Sequence, residues 1–329
     1  MTPLAKNIAR ITCAGLAFIS ATTAMAESTW PKGEPINYVV PYPPGGTTDI
    51  LGRNIAKLLV DSLGTNVVVE NKAGATGTIG SGYVARAKPD GYTMLGTSIG
   101  PQSIVPHFLH KLPYDPDKGF EPVILVGTIP HVLVVNADSP YKTLAQLIAA
   151  GKADPKALSY ASGGAGTVLH MQGELLKLKT GIGAIHIPYK GDTPAIQDVM
   201  GGQVTFMFAP IAAAFPQIQA GRLRALAVTS SERLGNLKDV PTMKEAGVSD
   251  FVIEQWQGIY VPAGTPENIV MRLNHAINDI LKTPKMIDLA DKLKITLAGG
   301  TPEDLGNRQR NDFEQWGKLI AAAKIHLNN

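Results

Sequence analysis

The sequence predicts an α/β protein of two domains with a ligand cleft between them, and three observations carry this. Strand-like apolar runs alternate with helical patterns almost throughout, which is the mark of βαβ units and a largely parallel sheet. Two glycine-rich loops, at 40–49 and 160–167, each join a strand to a helix, and they start 120 residues apart. Such sheets bind ligands at the carboxyl ends of their strands, where both loops lie.

The first unit is a strand at 36–40 and a helix over 50–59, whose apolar residues recur at helical spacing. Pro43 and Pro44 stiffen the connection and cannot donate hydrogen bonds. Gly45 and Gly46 let the backbone approach a ligand closely. The N–H groups that open the helix have no intrahelical partner and favour an anion. Residues 66–70 read as a buried strand. Gly74–Gly80 leads into a short helix ending near Ala87. Pro89-Asp90-Gly91 is a turn, and 92–97 a strand whose end, Gly96-Thr97-Ser98, is another binding position.

Residues 121–128 and 131–135 read as two successive strands with Pro130 between them, a crossover into the second domain. That domain alternates helices at 143–150, 167–177 and 193–200 with strands at 158–161, 185–189, 204–208 and 224–229. The chain crosses back near 251–261, where Gln255-Trp256-Gln257-Gly258 interrupts a strand-like run. Helices at 267–281, 285–292 and 302–323 complete the first domain. The predicted division is a leader at 1–26, a first domain from 27–128 and 251–329, and a second from 129–250.

The leader has a secretory pattern. Lys6 and Arg10 precede a short apolar core at 11–19, and Ala24-Met25-Ala26 is a small-x-small cleavage site. Cleavage after Ala26 is preferred over an uncleaved anchor, because the apolar core is short for a span. Cys13 lies inside that core rather than at its end, which argues against a lipoprotein. It is the only cysteine, so the remaining chain has no disulfide, thiolate metal site or cysteine nucleophile. Without Lys6 and Arg10 the net charge falls from +3 to +1, which argues against a nucleic-acid partner.

Asp49 sits where it can cap the first helix or touch a ligand; capping is the leading reading. Thr47 and Thr48 offer hydroxyls. Gly45-Gly46 is not followed by Gly-Lys-Ser/Thr, and Gly74–Gly80 lacks the Gly-x-Gly-x-x-Gly spacing, so no nucleotide motif is present. Ser162 precedes its glycines instead of sitting in Gly-x-Ser-x-Gly. His170 could serve as a base for Thr167 or Ser162, contact a ligand, or simply pack; packing leads. His107 and His110 have metal-compatible spacing but no third ligand. Tyr189 and Asp192 flank the turn into another helix, either as cleft rim or as plain turn.

These residues resemble one family, the Bug-type solute receptors of tripartite tricarboxylate transporters. The landmarks run from Val40–Asp49 through Val68-Val69-Glu70-Asn71, Pro89-Asp90-Gly91-Tyr92-Thr93, Leu112-Pro113-Tyr114-Asp115-Pro116 and Leu158–Ser162. They continue with His186-Ile187-Pro188-Tyr189-Lys190-Gly191, Gly201-Gly202-Gln203-Val204, Gly221–Thr229, Val240-Pro241-Thr242 and Pro262–Pro266. The resemblance implies the two-domain periplasmic-binding-protein fold (type II-like) and a monomer, neither an enzyme nor bound to a cofactor or metal. It implies a periplasmic receptor that closes on a small organic carboxylate and docks on membrane permease subunits. Main-chain N–H groups of both loops, with ordered waters, would hold the carboxylate. By position the site takes Tyr42, Gly45, Gly46, Thr47, Thr48 and Asp49 from the first loop. The second gives Gly163, Ala165, Gly166, Thr167 and His170, while Thr97, Tyr189 and Asp192 line the cleft. Where members often carry an aspartate this chain has Ala209-Pro210, which predicts a more apolar wall and favours aromatic or aliphatic acids over amino acids. The alternatives are a sensor receptor that binds a signalling ectodomain and a Ser/Thr-His hydrolase.

Overall fold

The structure, a computed structural model, describes residues 30–109 and 111–325. The predicted leader and His110 lie outside these residues. The apolar strand β1 (Ile36–Val40) runs parallel to β2 (Val67–Asn71) on one side and to β3 (Thr93–Ser98) on the other. Helix α1 (Thr47–Leu63) leaves β1, and α2 (Thr78–Ala85) precedes β3. Strand β9 (Glu254–Pro262) then lies antiparallel to β3 and to a long strand, β4 (Phe120–Asn136).

β4 belongs to both halves of the sheet. From His131 onwards it runs antiparallel between β7 (Phe206–Pro210) and β8 (Leu223–Val228). β5 (Ser159–Ser162) is parallel to β7, and β6 (Ile185–Pro188) is parallel to β5. Helices α3 (Leu144–Ala153), α4 (Val168–Thr180), α5 (Asp192–Met200) and α6 (Ile211–Gln219) connect this half. The chain returns through β9 to α7 (Glu267–Leu281), α8 (Pro284–Leu293) and α9 (Pro302–Ala323), with the short β10 (Thr296–Leu297) antiparallel to β4. One apolar core gathers Ile36, Ile55, Leu59, Leu273 and Ile277. The other fills the second half and extends along β4 and β9 to Trp256, Tyr260 and Trp316.

The alternation of strands and helices is therefore as predicted, but the sheet is mixed, because β4 and β9 run against all their neighbours. The two strands expected around Pro130 are one. Pro130 occupies the last register of the β4–β9 ladder, opposite Glu254, where a missing N–H interrupts least. β9 is likewise unbroken at Gln255–Gly258, because its polar side chains find buried partners. Trp256 Nε1 donates to Asp312 Oδ2 at 2.7 Å, and Gln257 Oε1 accepts from Thr48 Oγ1 at 2.8 Å. β2 is not buried: it is a sheet edge, and Val68 is 55% exposed. Helix α6 was not expected, since Pro216 within it reads as a breaker.

Candidate functional site

The prolines and glycines after β1 lead directly into α1, whose N-cap is Gly46 with φ −76° and ψ 166° and no side-chain cap. Gly45 adopts φ +87°, a conformation that glycine reaches without steric penalty. Its N–H is taken by Asp49 Oδ2 at 2.9 Å. Asp49 also accepts from Arg53 Nε at 3.0 Å and from Asn71 Nδ2 at 2.8 Å. Asn71 Nδ2 further holds the Tyr42 carbonyl at 3.0 Å. Burial works against the Asp49 charge, but the hydrogen bonds from Arg53, Gly45 and Asn71 with the Arg53 charge hold its carboxyl below the usual range. Asp49 is thus the brace under the loop. Asp49→Ala should strip the Gly45 N–H and Asn71 of their acceptor and lower stability by about 2 kcal/mol. A urea midpoint within error of the parent's would refute that role.

The second loop is built from the same materials but tied differently. Thr167 caps α4 by accepting from the His170 N–H, and its hydroxyl donates to the Gly164 carbonyl at 2.8 Å. Gly164 N–H donates to Ser162 Oγ at 3.2 Å, and Gly166 N–H to His170 Nδ1 at 3.1 Å. The glycines of both loops therefore use several of their own N–H groups internally. The open donors are those of the helical first turns. Thr47 and Thr48 of α1, Val168 and Leu169 of α4, Thr193 of α5 and Ala212 of α6 all line one cavity of about 710 Å³. Tyr42, held by Ser98 Oγ at 2.7 Å, completes one wall. Ile99, Ile129, Leu293 and Pro210 supply apolar surface.

Four helices of 17, 13, 9 and 9 residues thus point N-termini at one space. No Lys or Arg lines it among the described residues, and Asp192 is its only charged side chain. Partial positive charge at helix starts, without a competing cation, suits a small anion with an apolar body. A second groove of about 730 Å³ lies between α4 and α9, beside Leu178, Trp316 and Leu319, and borders the cleft only at Ile99. It has no helix N-terminus aimed into it, so the cleft is the better ligand site.

Of the predicted residues, the structure brings Tyr42, Gly46, Thr47, Thr48, Gly166, Thr167 and Asp192 onto the cavity wall. It places Gly45, Asp49, Thr97, Gly163, Ala165, His170 and Tyr189 off it. Thr97 is fully buried on β3 opposite Gly258, and the adjacent Ser98 faces the cleft instead. Strand alternation makes one of that pair face away from the cleft, and here it is Thr97. Tyr189 turns its hydroxyl to Asp198 Oδ2 at 2.5 Å. His170 stacks on His186, with ring centroids 3.9 Å apart, on the far side of the loop. Sequence reasoning missed Gln255, which hides in the polar stretch of β9, and Leu293 of α8, for which no local signal exists.

Ser162 is fully buried, with its Oγ engaged by Gly164 and by His186 Nε2 at 2.7 Å. His170 Nδ1 is occupied by the Gly166 amide. Neither arrangement presents a nucleophile to the cleft, and no cluster of three metal-ligating side chains occurs among the described residues.

The family profile described as "Tripartite tricarboxylate transporter family receptor" matches residues 51–325. The chain belongs to this family. It is 40% identical over 311 residues to the "UPF0065 protein in tcbD-tcbE intergenic region" of Pseudomonas sp. (strain P51), covering 94% of this chain and 92% of that protein. The solved periplasmic binding protein BugD superposes with a TM-score of 0.76 at 36% identity, over 89% of this chain and 98% of its own. A solved R. palustris protein with adipate gives a TM-score of 0.80 at 32% identity, over 90% and 99%. The receptor is a Bug-type solute-binding protein with the periplasmic-binding-protein fold, not an enzyme. No helix among its described residues is long and apolar enough to cross a membrane.

Proposed function

We propose that this receptor captures a small organic carboxylate in the cleft and delivers it to the membrane permease of a tripartite transporter. The convergence of four helix N-termini on a cavity without a cation carries this reading. Hydrogen bonds to a charged group contribute roughly 1.5–3 kcal/mol each, so two or three first-turn N–H groups suffice to hold a carboxylate. Tyr42, Gly46, Thr47, Thr48, Gly166, Thr167 and Asp192 touch the ligand in this proposal. Gly45, Asp49, Gly163, Ala165 and His170 shape the loops behind them.

The two lobes, 27–128 with 251–329 and 129–250, close about the crossings at β4 and β9. The protein acts as a monomer in the periplasm after cleavage behind Ala26. Adipate in the R. palustris relative supports an aliphatic acid, and Pro210 in the wall supports an apolar ligand body.

A thermal-shift screen against mono-, di- and tricarboxylates, aromatic acids and amino acids tests the reading. At 100 times its dissociation constant a ligand stabilises by roughly 2.7 kcal/mol, a rise of about 5–10 °C for a protein of this size. Silence from every acid would overturn it.

A further inference from the structure

Asp192 is the feature of the cleft that carboxylate capture alone leaves unexplained. It opens α5 behind the N-cap Gly191 and makes no capping hydrogen bond. It lines the cavity together with Thr167 and Thr193, and across from the first loop. Asp192 is half-buried, and no hydrogen bond to its carboxylate is found among the described residues. Asp49, Glu174 and Asp312, by comparison, each accept from a cation or a phenol.

The position of Asp192 is set from behind. A Cβ on Gly163 would lie 2.1 Å from Asp192 Oδ1, so only glycine lets the carboxylate sit there. Gly191 N–H donates to the Gly163 carbonyl at 3.1 Å, which pins the two turns together. An acid in a helical first turn is ordinarily favoured by the helix dipole. Here burial outweighs that and pushes the Asp192 carboxyl above its ordinary value. The group is held ready, short of a donor, in the wall of a ligand cavity.

We propose that Asp192 selects for carboxylates whose carbon chain carries a hydrogen-bond donor, a hydroxyl or an ammonium group, and selects against a second carboxylate at that end. This rests on the cleft being the carboxylate site. The geometry divides the work: the first-turn N–H groups hold the ligand's carboxylate, and Asp192 accepts from the substituent. A ligand carboxylate facing Asp192 meets a like charge, whereas a donor supplies the missing hydrogen bond. An unsubstituted chain would displace solvent from that carboxylate without replacing its hydrogen bonds, which is unfavourable.

The test is isothermal titration of the purified protein and of D192N and D192S with matched acids of four and six carbons. Each set holds the unsubstituted acid, its hydroxy and amino derivatives, and the diacid. In the parent protein a hydroxy or amino member should bind at least about tenfold tighter than the unsubstituted acid and the diacid. In D192N the ammonium preference should collapse and the diacid should gain. The hydroxyl preference should survive in part, because the Asn carbonyl still accepts. D192S, which removes charge and reach together, should flatten the series. Two arms separate the sources of the donor: a hydroxyl ligand keeps its rank in D192N and an ammonium ligand does not. If acids bind but the unsubstituted acid or the diacid ranks first, and D192N leaves the order unchanged, the assignment of Asp192 is wrong while the receptor reading stands. If no acid binds the parent protein, both fall.

Discussion

Replacing Gly46 by aspartate should abolish carboxylate binding and leave the fold as stable as before, or slightly more so. Gly46 is the N-cap of α1, with extended backbone that any residue adopts and no side-chain cap. A Cβ there meets only the Pro43 carbonyl oxygen, at 3.9 Å, so the substitution introduces no clash. Aspartate is among the preferred N-cap residues, and its advantage over glycine is a few tenths of a kcal/mol. Its carboxylate would accept from the first-turn N–H groups of α1, the donors assigned to the ligand. The ligand then loses two or more charge-assisted hydrogen bonds and faces a fixed like charge. A loss of two such bonds is roughly 3–6 kcal/mol, about 10²- to 10⁴-fold in dissociation constant. The measurement pairs a denaturation curve with a titration against the best acid of the screen. Binding retained within tenfold, in a protein of unchanged stability, would remove α1 from the site. The opposite signs matter, because a misfolded variant loses both.

That one helix is left uncapped was partly legible in the sequence. Pro-Pro-Gly-Gly between an apolar strand and a periodic helix marks a loop that brings open N–H groups to the carboxyl end of the sheet, and the structure places Gly46, Thr47 and Thr48 on the cavity. The role of the glycines was less legible. Gly45 is needed for its φ of +87° and uses its N–H on Asp49. Gly166 gives its N–H to His170. Only a three-dimensional accounting of hydrogen bonds shows that Gly45 and Gly166 spend their N–H groups inside the loops, while the helical first turns keep theirs. Contributions from distant elements were invisible for the same reason. Leu293 and Gln255 reach the cleft because β9 and the helices after it fold back, and no local pattern encodes that return. The long β4 was misread because proline is a local breaker, whereas its cost depends on which register it occupies.

Acid should weaken the fold well above the pH at which carboxylates titrate, and the cause is three neutral histidines. His131 is fully buried at the joint of β4, where its Nδ1 lies 2.9 Å from Gln172 Nε2. Gln172 also donates to the Ile253 carbonyl at 3.2 Å, which ties α4 to the return crossing. His170 and His186 stack beneath the second loop with an interplanar angle of 10°. Burial depresses each of the three from 6.5 to about 4. The neighbouring His170 lowers His186 further, and Glu174 opposes this in both rings.

A depressed histidine stays neutral in the fold, while the unfolded chain takes up a proton near pH 6.5. Stability from these groups is therefore complete above about 6.5 and is lost as pH falls towards 4. For His131 alone the full loss is roughly 3 kcal/mol. The stacked pair adds about as much again rather than twice that, because His186 is only half-buried and solvent screens part of its shift. Asp49, Glu70, Glu245 and Asp304 are shifted downward, so their contribution is lost only at lower pH, below the ordinary carboxylate values. Urea unfolding between pH 7 and pH 4.5 reads the histidine window by itself. His131→Gln should be less stable at pH 7 yet show a shallower decline. Protonation at His170 Nδ1 also removes the acceptor of the Gly166 N–H, so ligand affinity should fall in the lower part of the same window. A flat stability profile down to pH 4.5 would mean that these rings are protonated in the fold, and that the hydrogen bonds at His131 and His170 are not as described.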